Sequence, residues 1–180
     1  MPKLFGNIST TYSPEYLFDL VADIEAYPEF LPYCTAARII NKQDNLIMPS
    51  FTSFPTEALE TIGIVDFKAP NANVNSEMTH LIIAELMIQY KIFRSAYTSR
   101  VTLYPKNKIT VELVDGPFKH LMNHWKFIKE ANGSKIEFML DFELKSSLLE
   151  NLISSKFNYY TDKLMAAFIN RASNNLVNKL

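Results

Sequence analysis

The final fifth of the chain, residues 146–180, reads SSLLENLISSKFNYYTDKLMAAFINRASNNLVNKL and contains neither glycine nor proline. Within it Leu149, Ile153, Phe157, Tyr160, Leu164, Phe168, Ala172 and Leu176 recur every three or four residues, the spacing of one helix face. Ser146 and Ser147 are candidate N-caps, and Glu150, three residues after Ser147, completes a capping box. About 30 residues of helix extend roughly 45 Å, longer than a small domain needs for packing alone. A stripe that long and that aromatic demands a large apolar surface. The rest of the chain must supply it.

That surface reads as a sheet. Residues 80–92 carry Ile82, Ala84, Leu86, Ile88, Tyr90 and Ile92 in alternation, and residues 95–104 follow with Val101 and Leu103. Ile109, Val111 and Leu113 make a further strand, residues 121–129 another, and residues 135–144 the clearest. There Ile136, Phe138, Leu140, Phe142 and Leu144 alternate with Lys135, Glu137, Asp141 and Glu143. Pro105-Lys106-Asn107, Asp115-Gly116-Pro117 and Asn132-Gly133 separate them with turn chemistry. Upstream, residues 3–12 suggest a first strand. A helix opens at Ser13-Pro14-Glu15, with a cap, a proline at the first turn and an acid at the positive dipole end. Tyr16, Leu17, Leu20 and Val21 are its apolar face. Tyr27-Pro28 and Leu31-Pro32 limit residues 24–33 to a short second helix and an extended turn, before a second strand at 36–40. An antiparallel sheet with one apolar face needs a cover, and the final helix is the one element long enough. The pattern predicts an α+β fold in which a curved antiparallel sheet wraps the C-terminal helix, with an apolar pocket between them.

Residues 44–79 break the pattern with Pro49, Pro55, Pro70 and the polar run NANVNS, although residues 57–67 hint at a short element. We read one domain over 1–180 with an insertion at 44–79. A length of 180 residues suits one domain with a substantial core. The net charge of −1 gives no global reason to expect nucleic acid, and DNA is not an expected partner. The single cysteine excludes an internal disulfide framework and fits a reducing compartment. Without a signal-type apolar run at the start or a membrane-length apolar window, a cytoplasmic protein is expected.

Few residues point to chemistry. His120 and His124 lie about 13 Å apart if both are on one strand, too far for a shared ion, and no metal site is expected. Cys34 has no sequence-defined base beside it and reads as a small buried apolar residue. Glu15, Asp19, Asp23, Glu25 and Glu29 crowd one helical surface and read as a solvated face. No catalytic group stands out, so the expectation is a protein that is not an enzyme. Lys91, Arg94, Arg100, Lys106 and Lys108 form a stretch without acids, joined by Lys119, Lys126 and Lys129. Such a face suits anionic headgroups or ribosomal RNA, or is an ordinary solvated strand surface.

Four blocks carry a family likeness. YSPEYLFDLVADIEAYPEFLPYC, starting at Tyr12, resembles the opening signature of the coenzyme Q-binding START-domain proteins and their bacterial relatives, the RatA-type ribosome-association toxins. DGPFKHLMNHWKF, from Asp115, is similar to the family's second signature, and FRSAYTSRV and AFINRAS look like two more. The resemblance implies the helix-grip (START/Bet v 1-like) fold. It also implies a cavity for a polyprenyl quinone, ubiquinone, or a similar lipid, carried in support of respiration with peripheral contact at the inner membrane. Together with the alternation, it gives the lining as Phe30, Leu31, Tyr33, Phe93, Trp125, Phe127, Phe138, Phe157, Tyr160, Leu164 and Phe168. Tyr27, Tyr33 and Tyr160 are equal candidates to hydrogen-bond a quinone carbonyl. No cofactor beyond the lipid ligand is implied, and Asp115-Gly116-Pro117-Phe118 reads as architecture. A ribosomal subunit is the partner under the second reading, and a polyketide cyclase-like activity is the third. Residues 44–79 depart from the family pattern.

Overall fold

The period-two runs become a seven-stranded sheet in the computed structural model of the chain, which describes residues 3–47, 78–90, 93–146 and 157–177. The elements in order are β1 (Lys3–Thr10), α1 (Pro14–Ala22), a 3-10 turn (Ile24–Ala26), the single-turn α2 (Tyr27–Phe30), β2 (Cys34–Ile47), β3 (Met78–Tyr90), β4 (Phe93–Tyr104), β5 (Lys108–Asp115), β6 (Phe118–Glu130), β7 (Gly133–Leu144) and α3 (Phe157–Val177). The sheet order is β1-β7-β6-β5-β4-β3-β2, so β2 to β7 form a meander and β1 closes against β7. Every pairing is antiparallel. The register aligns one inner row as Val101, Val111, Asn123 and Leu140 across β4, β5, β6 and β7.

α1 forms as its sequence dictates. Ser13 Oγ accepts from the Tyr16 amide at 3.2 Å, Pro14 occupies the first turn, and Leu17, Phe18, Leu20 and Val21 are buried. The five acids of this region are all exposed, which is the solvated face the spacing predicts. α1 is tied to the end of α3 by the Tyr16 hydroxyl, which donates to the Ala172 carbonyl at 2.9 Å, and by a 2.8 Å hydrogen bond between Tyr12 and Ser173. α3 buries Met165, Phe168 and Ala172, three and four residues apart, against the sheet. It lies close to β1, where Gly6 touches Thr161 and Met165.

Several boundaries differ from the sequence expectation. β2 runs on to Ile47 and β3 starts at Met78, with Leu46 paired to Thr79, so both ends of the expected 44–79 insertion are strand. β2 is an edge strand, largely exposed and interrupted by three register shifts, and such a strand carries no clean alternation. β1 stops at Thr10 rather than residue 12. Residues 48–77, with the element expected at 57–67, and residues 147–156, with the capping box expected at the start of the last helix, lie outside the described residues.

Candidate functional site

Between the inner face of the sheet and α3 lies a cavity of about 320 Å³. The sheet contributes Leu86, Val101, Ile109, Val111, Leu121, Trp125, Leu140 and Phe142. α3 contributes Leu164 and Phe168, and the 3-10 turn, α2 and the following loop contribute Ile24, Tyr27, Leu31 and Tyr33. None of the described lining residues is Asp, Glu, His, Lys or Arg. The less buried rim is formed by Tyr33, Gln89, Tyr90 and Phe93, where the Tyr33 and Tyr90 rings meet edge to face at 5.4 Å. Tyr33 has a left-handed backbone, φ 69°, and its carbonyl accepts from the Gln89 amide at 2.8 Å, which stitches the loop to β3.

The Asp115-Gly116-Pro117-Phe118 corner is architectural. Gly116 has φ 147°, and a Cβ there would lie 2.5 Å from Tyr97 Cβ, so only glycine lets Tyr97 sit this close. Tyr97 in turn packs on Phe118, ring centroids 5.6 Å apart, and both line the cavity. Shifts of register at Thr98/Ser99 and at Phe118/His120 bend the sheet at this end.

Of the residues expected to line the pocket, Leu31, Tyr33, Phe93, Trp125, Leu164 and Phe168 do so. Phe30, Phe127 and Phe138 share the interior but not the cavity wall, because a neighbouring ring takes up each of them. Phe30 packs on Phe168 at 5.2 Å, with the Arg171 guanidinium over its ring at 5.4 Å. Phe127 packs on Phe18 of α1 at 5.6 Å, and Phe138 on Trp125 at 4.6 Å. The side chains of Phe157 and Tyr160 lie outside the described residues.

The tyrosine candidates separate. The Tyr27 hydroxyl donates to the Val21 carbonyl, and its burial pushes its pKa far up, so it stays neutral. Tyr33 sits at the rim. Burial likewise holds the Tyr97 phenol protonated. Cys34 is half-buried, its thiol pKa is raised by burial, and Sγ contacts the Ala36 carbonyl at 3.6 Å. The sequence reading missed Tyr97, Ser99 and Asn123, all of which line the cavity. Asn123 was detectable, because position 123 falls in phase with Leu121, Trp125 and Phe127 on the apolar face of β6.

The outer face of the sheet is not a one-sign surface. Arg38 pairs with Glu85 at 2.8 Å, Arg100 with Glu112 at 3.6 Å, Lys119 with Glu143 at 2.6 Å and Lys135 with Glu137 at 2.9 Å. The acid-free stretch gains acids from neighbouring strands. Lys108 lies over the Tyr104 ring at 4.0 Å, while Arg94, Lys106, Lys126 and Lys129 are exposed and Lys91 is outside the described residues. His120 and His124 sit four residues apart on β6. No helix among the described residues is long and apolar enough to cross a membrane.

Comparison with known proteins agrees with this arrangement. Residues 10–169 match the polyketide cyclase / dehydrase and lipid transport family. The chain belongs to that family. A ribosome association toxin RatA of Rickettsia prowazekii is 35% identical over 169 residues, covering 89% of each chain. A mitochondrial coenzyme Q-binding protein of Drosophila melanogaster is 26% identical over 163 residues, 88% of this chain and 53% of that protein. The solution structure of an 18 kDa protein of Caulobacter crescentus superposes with a TM-score of 0.67 at 27% identity, covering 97% of both chains. The fold is the helix grip of START-superfamily structures, a curved antiparallel sheet around a C-terminal helix.

Proposed function

We propose that this protein binds a polyprenyl quinone such as ubiquinone, or a closely similar lipid, in the cavity under α3 and hands it over at a membrane surface in support of respiratory electron transport. The observation that carries this reading is an apolar chamber of about 320 Å³ without a charged lining residue among those described. Each methylene moved from water into such a chamber contributes about 0.8 kcal/mol, so a prenylated ligand binds without a charged contact. The likeness to the Drosophila coenzyme Q-binding protein supports the same ligand class. The mechanism is sequestration and transfer. Covalent catalysis has no acid–base pair to use in the described lining, which also argues against a cyclase activity. The test is uptake of ubiquinone from liposomes, with protein and vesicles separated by flotation. The expected outcome is quinone in the protein fraction, and its absence there removes this reading.

A second reading, binding to a ribosomal subunit and hindrance of subunit association, is favoured by the likeness to the Rickettsia protein. It predicts co-sedimentation with a subunit that is lost in the Arg94→Glu, Arg100→Glu double variant. The pairing of Arg100 with Glu112 reduces the charge available for such contacts.

A further inference from the structure

The cavity wall contains two polar side chains, Asn123 and Ser99, whose positions are difficult to explain by folding. Asn123 lies in the middle of the sheet, between Val111 of β5 and Leu140 of β7, with Leu121 and Trp125 buried on either side along β6. Its Oδ1 is buried without a partner, and the side chain makes no hydrogen bond among the described residues. The residue is nonetheless partly exposed, and it lines the chamber. With no protein partner to fix its orientation, the carboxamide is free to turn its NH2, a double donor, to the chamber. The Ser99 hydroxyl, on the same inner face, is also buried and unpaired. Leaving such groups unpaired lowers stability, whereas a leucine at position 123 would be similar in size and apolar. A donor kept at that cost marks a place where an acceptor arrives from outside the protein.

The acceptor's chemistry follows from the surroundings. No cation among the described lining residues would hold a carboxylate or phosphate, so a charged head would remain unpaired in an apolar chamber. A neutral carbonyl meets the NH2 without that penalty. The chamber, at about 320 Å³, stands near the lower end of the roughly 300–1,000 Å³ typical of small-molecule sites. It encloses a ring with a few tail carbons, and a longer tail passes the rim of Tyr33, Tyr90 and Phe93. We propose that Asn123 anchors the head group of a neutral, carbonyl-bearing ring lipid that enters head first, with Asn123 Nδ2 donating to the carbonyl beside Trp125. This rests on the cavity being a lipid site and specifies which part of the ligand lies where.

Trp125 is the sole tryptophan and sits two residues, about 7 Å, from Asn123 on the same face. Decylubiquinone, whose quinone ring quenches indole emission on contact, and decylbenzene, which has the same tail without carbonyls, separate head from tail. Titrated into the full chain by calorimetry, the wild type should prefer decylubiquinone, and that ligand should quench most of the Trp125 emission. Asn123→Leu should lose about tenfold in affinity for decylubiquinone and none for decylbenzene. Without ligand it should melt about 2–4 °C above the wild type. Asn123→Ala tests the same loss without added bulk. An unchanged preference in both variants, or an equal loss for both probes, overturns the anchor while leaving the lipid site intact. A wild type that takes up neither probe overturns the lipid site itself, and the anchor with it.

Discussion

The two ends of the interior use the same kinds of residue and reach opposite states. Toward α1, Leu17, Phe18, Phe127, Ile136, Phe138 and Ala172 are the part of one cluster that is closed off from the cavity. Toward the β3–β4 hairpin, Leu4, Phe118, Leu121, Phe142 and Leu144 form a second cluster, and the cavity is lined from both. Both ends have an alternating apolar sheet face. They differ in their cover. α1 sets Leu17 and Phe18 onto the first end, while over the cavity the described cover is Leu164 and Phe168 of α3, single-turn α2 and the Leu31–Tyr33 loop. An apolar face keeps a cavity where the elements above it do not fill the space.

Truncation should break this comparison most visibly. Leu17 is 1% exposed in the closed part, so Leu17→Ala should cost about 3–5 kcal/mol in urea unfolding, the transfer loss plus a new void. Leu121→Ala borders space that is already empty and should cost about 2 kcal/mol, at the low end for such a change. Equal losses would mean the chamber is packed in solution. Insertion is the converse experiment. Ile136→Phe, at a residue 1% exposed, should cost about 1–3 kcal/mol by overpacking. Val111→Phe projects into the chamber and should stay within about 1 kcal/mol of wild type while abolishing quinone uptake.

The smallest effect belongs to the outer face at the chamber end. The Lys119 hydrogen bond, followed by its charge, lowers the Glu143 pKa below its ordinary 4.5. A lowered folded pKa contributes stability above the ordinary value and loses it as pH falls through the folded one. Melting curves of Glu143→Gln and wild type should therefore differ slightly above pH 4.5 and converge below it. Because the pair is exposed, a larger gap would mean that this face is covered in solution.

How much of this was legible follows from which patterns survive in a strand. β7 and the apolar part of β6 have one buried face, and period two reveals them. The 3.6-residue stripe of α3 places Leu164 and Phe168 correctly against the chamber. Periodicity identifies a face but not depth along it, so Phe127 and Phe138 are indistinguishable from Trp125 until α1 and the neighbouring rings are in place. The end of β2 was hidden because an exposed edge strand has no apolar phase. Tyr97 and Ser99 fall in FRSAYTSRV, where polar and apolar residues share the inward phase, and the missing side chain of Gly116 leaves room for Tyr97 there. The salt-bridged outer face illustrates the same limit, since a run of bases along one strand says nothing of acids on the next.

The central claim is that the chamber holds a lipid. Its most direct test is mass spectrometry of a solvent extract from protein purified out of a quinone-producing host, with Val111→Phe purified in parallel. The account predicts a polyprenyl quinone with the wild type and none with the variant. A wild-type extract free of lipid, from protein that also takes no ubiquinone from liposomes, would contradict it.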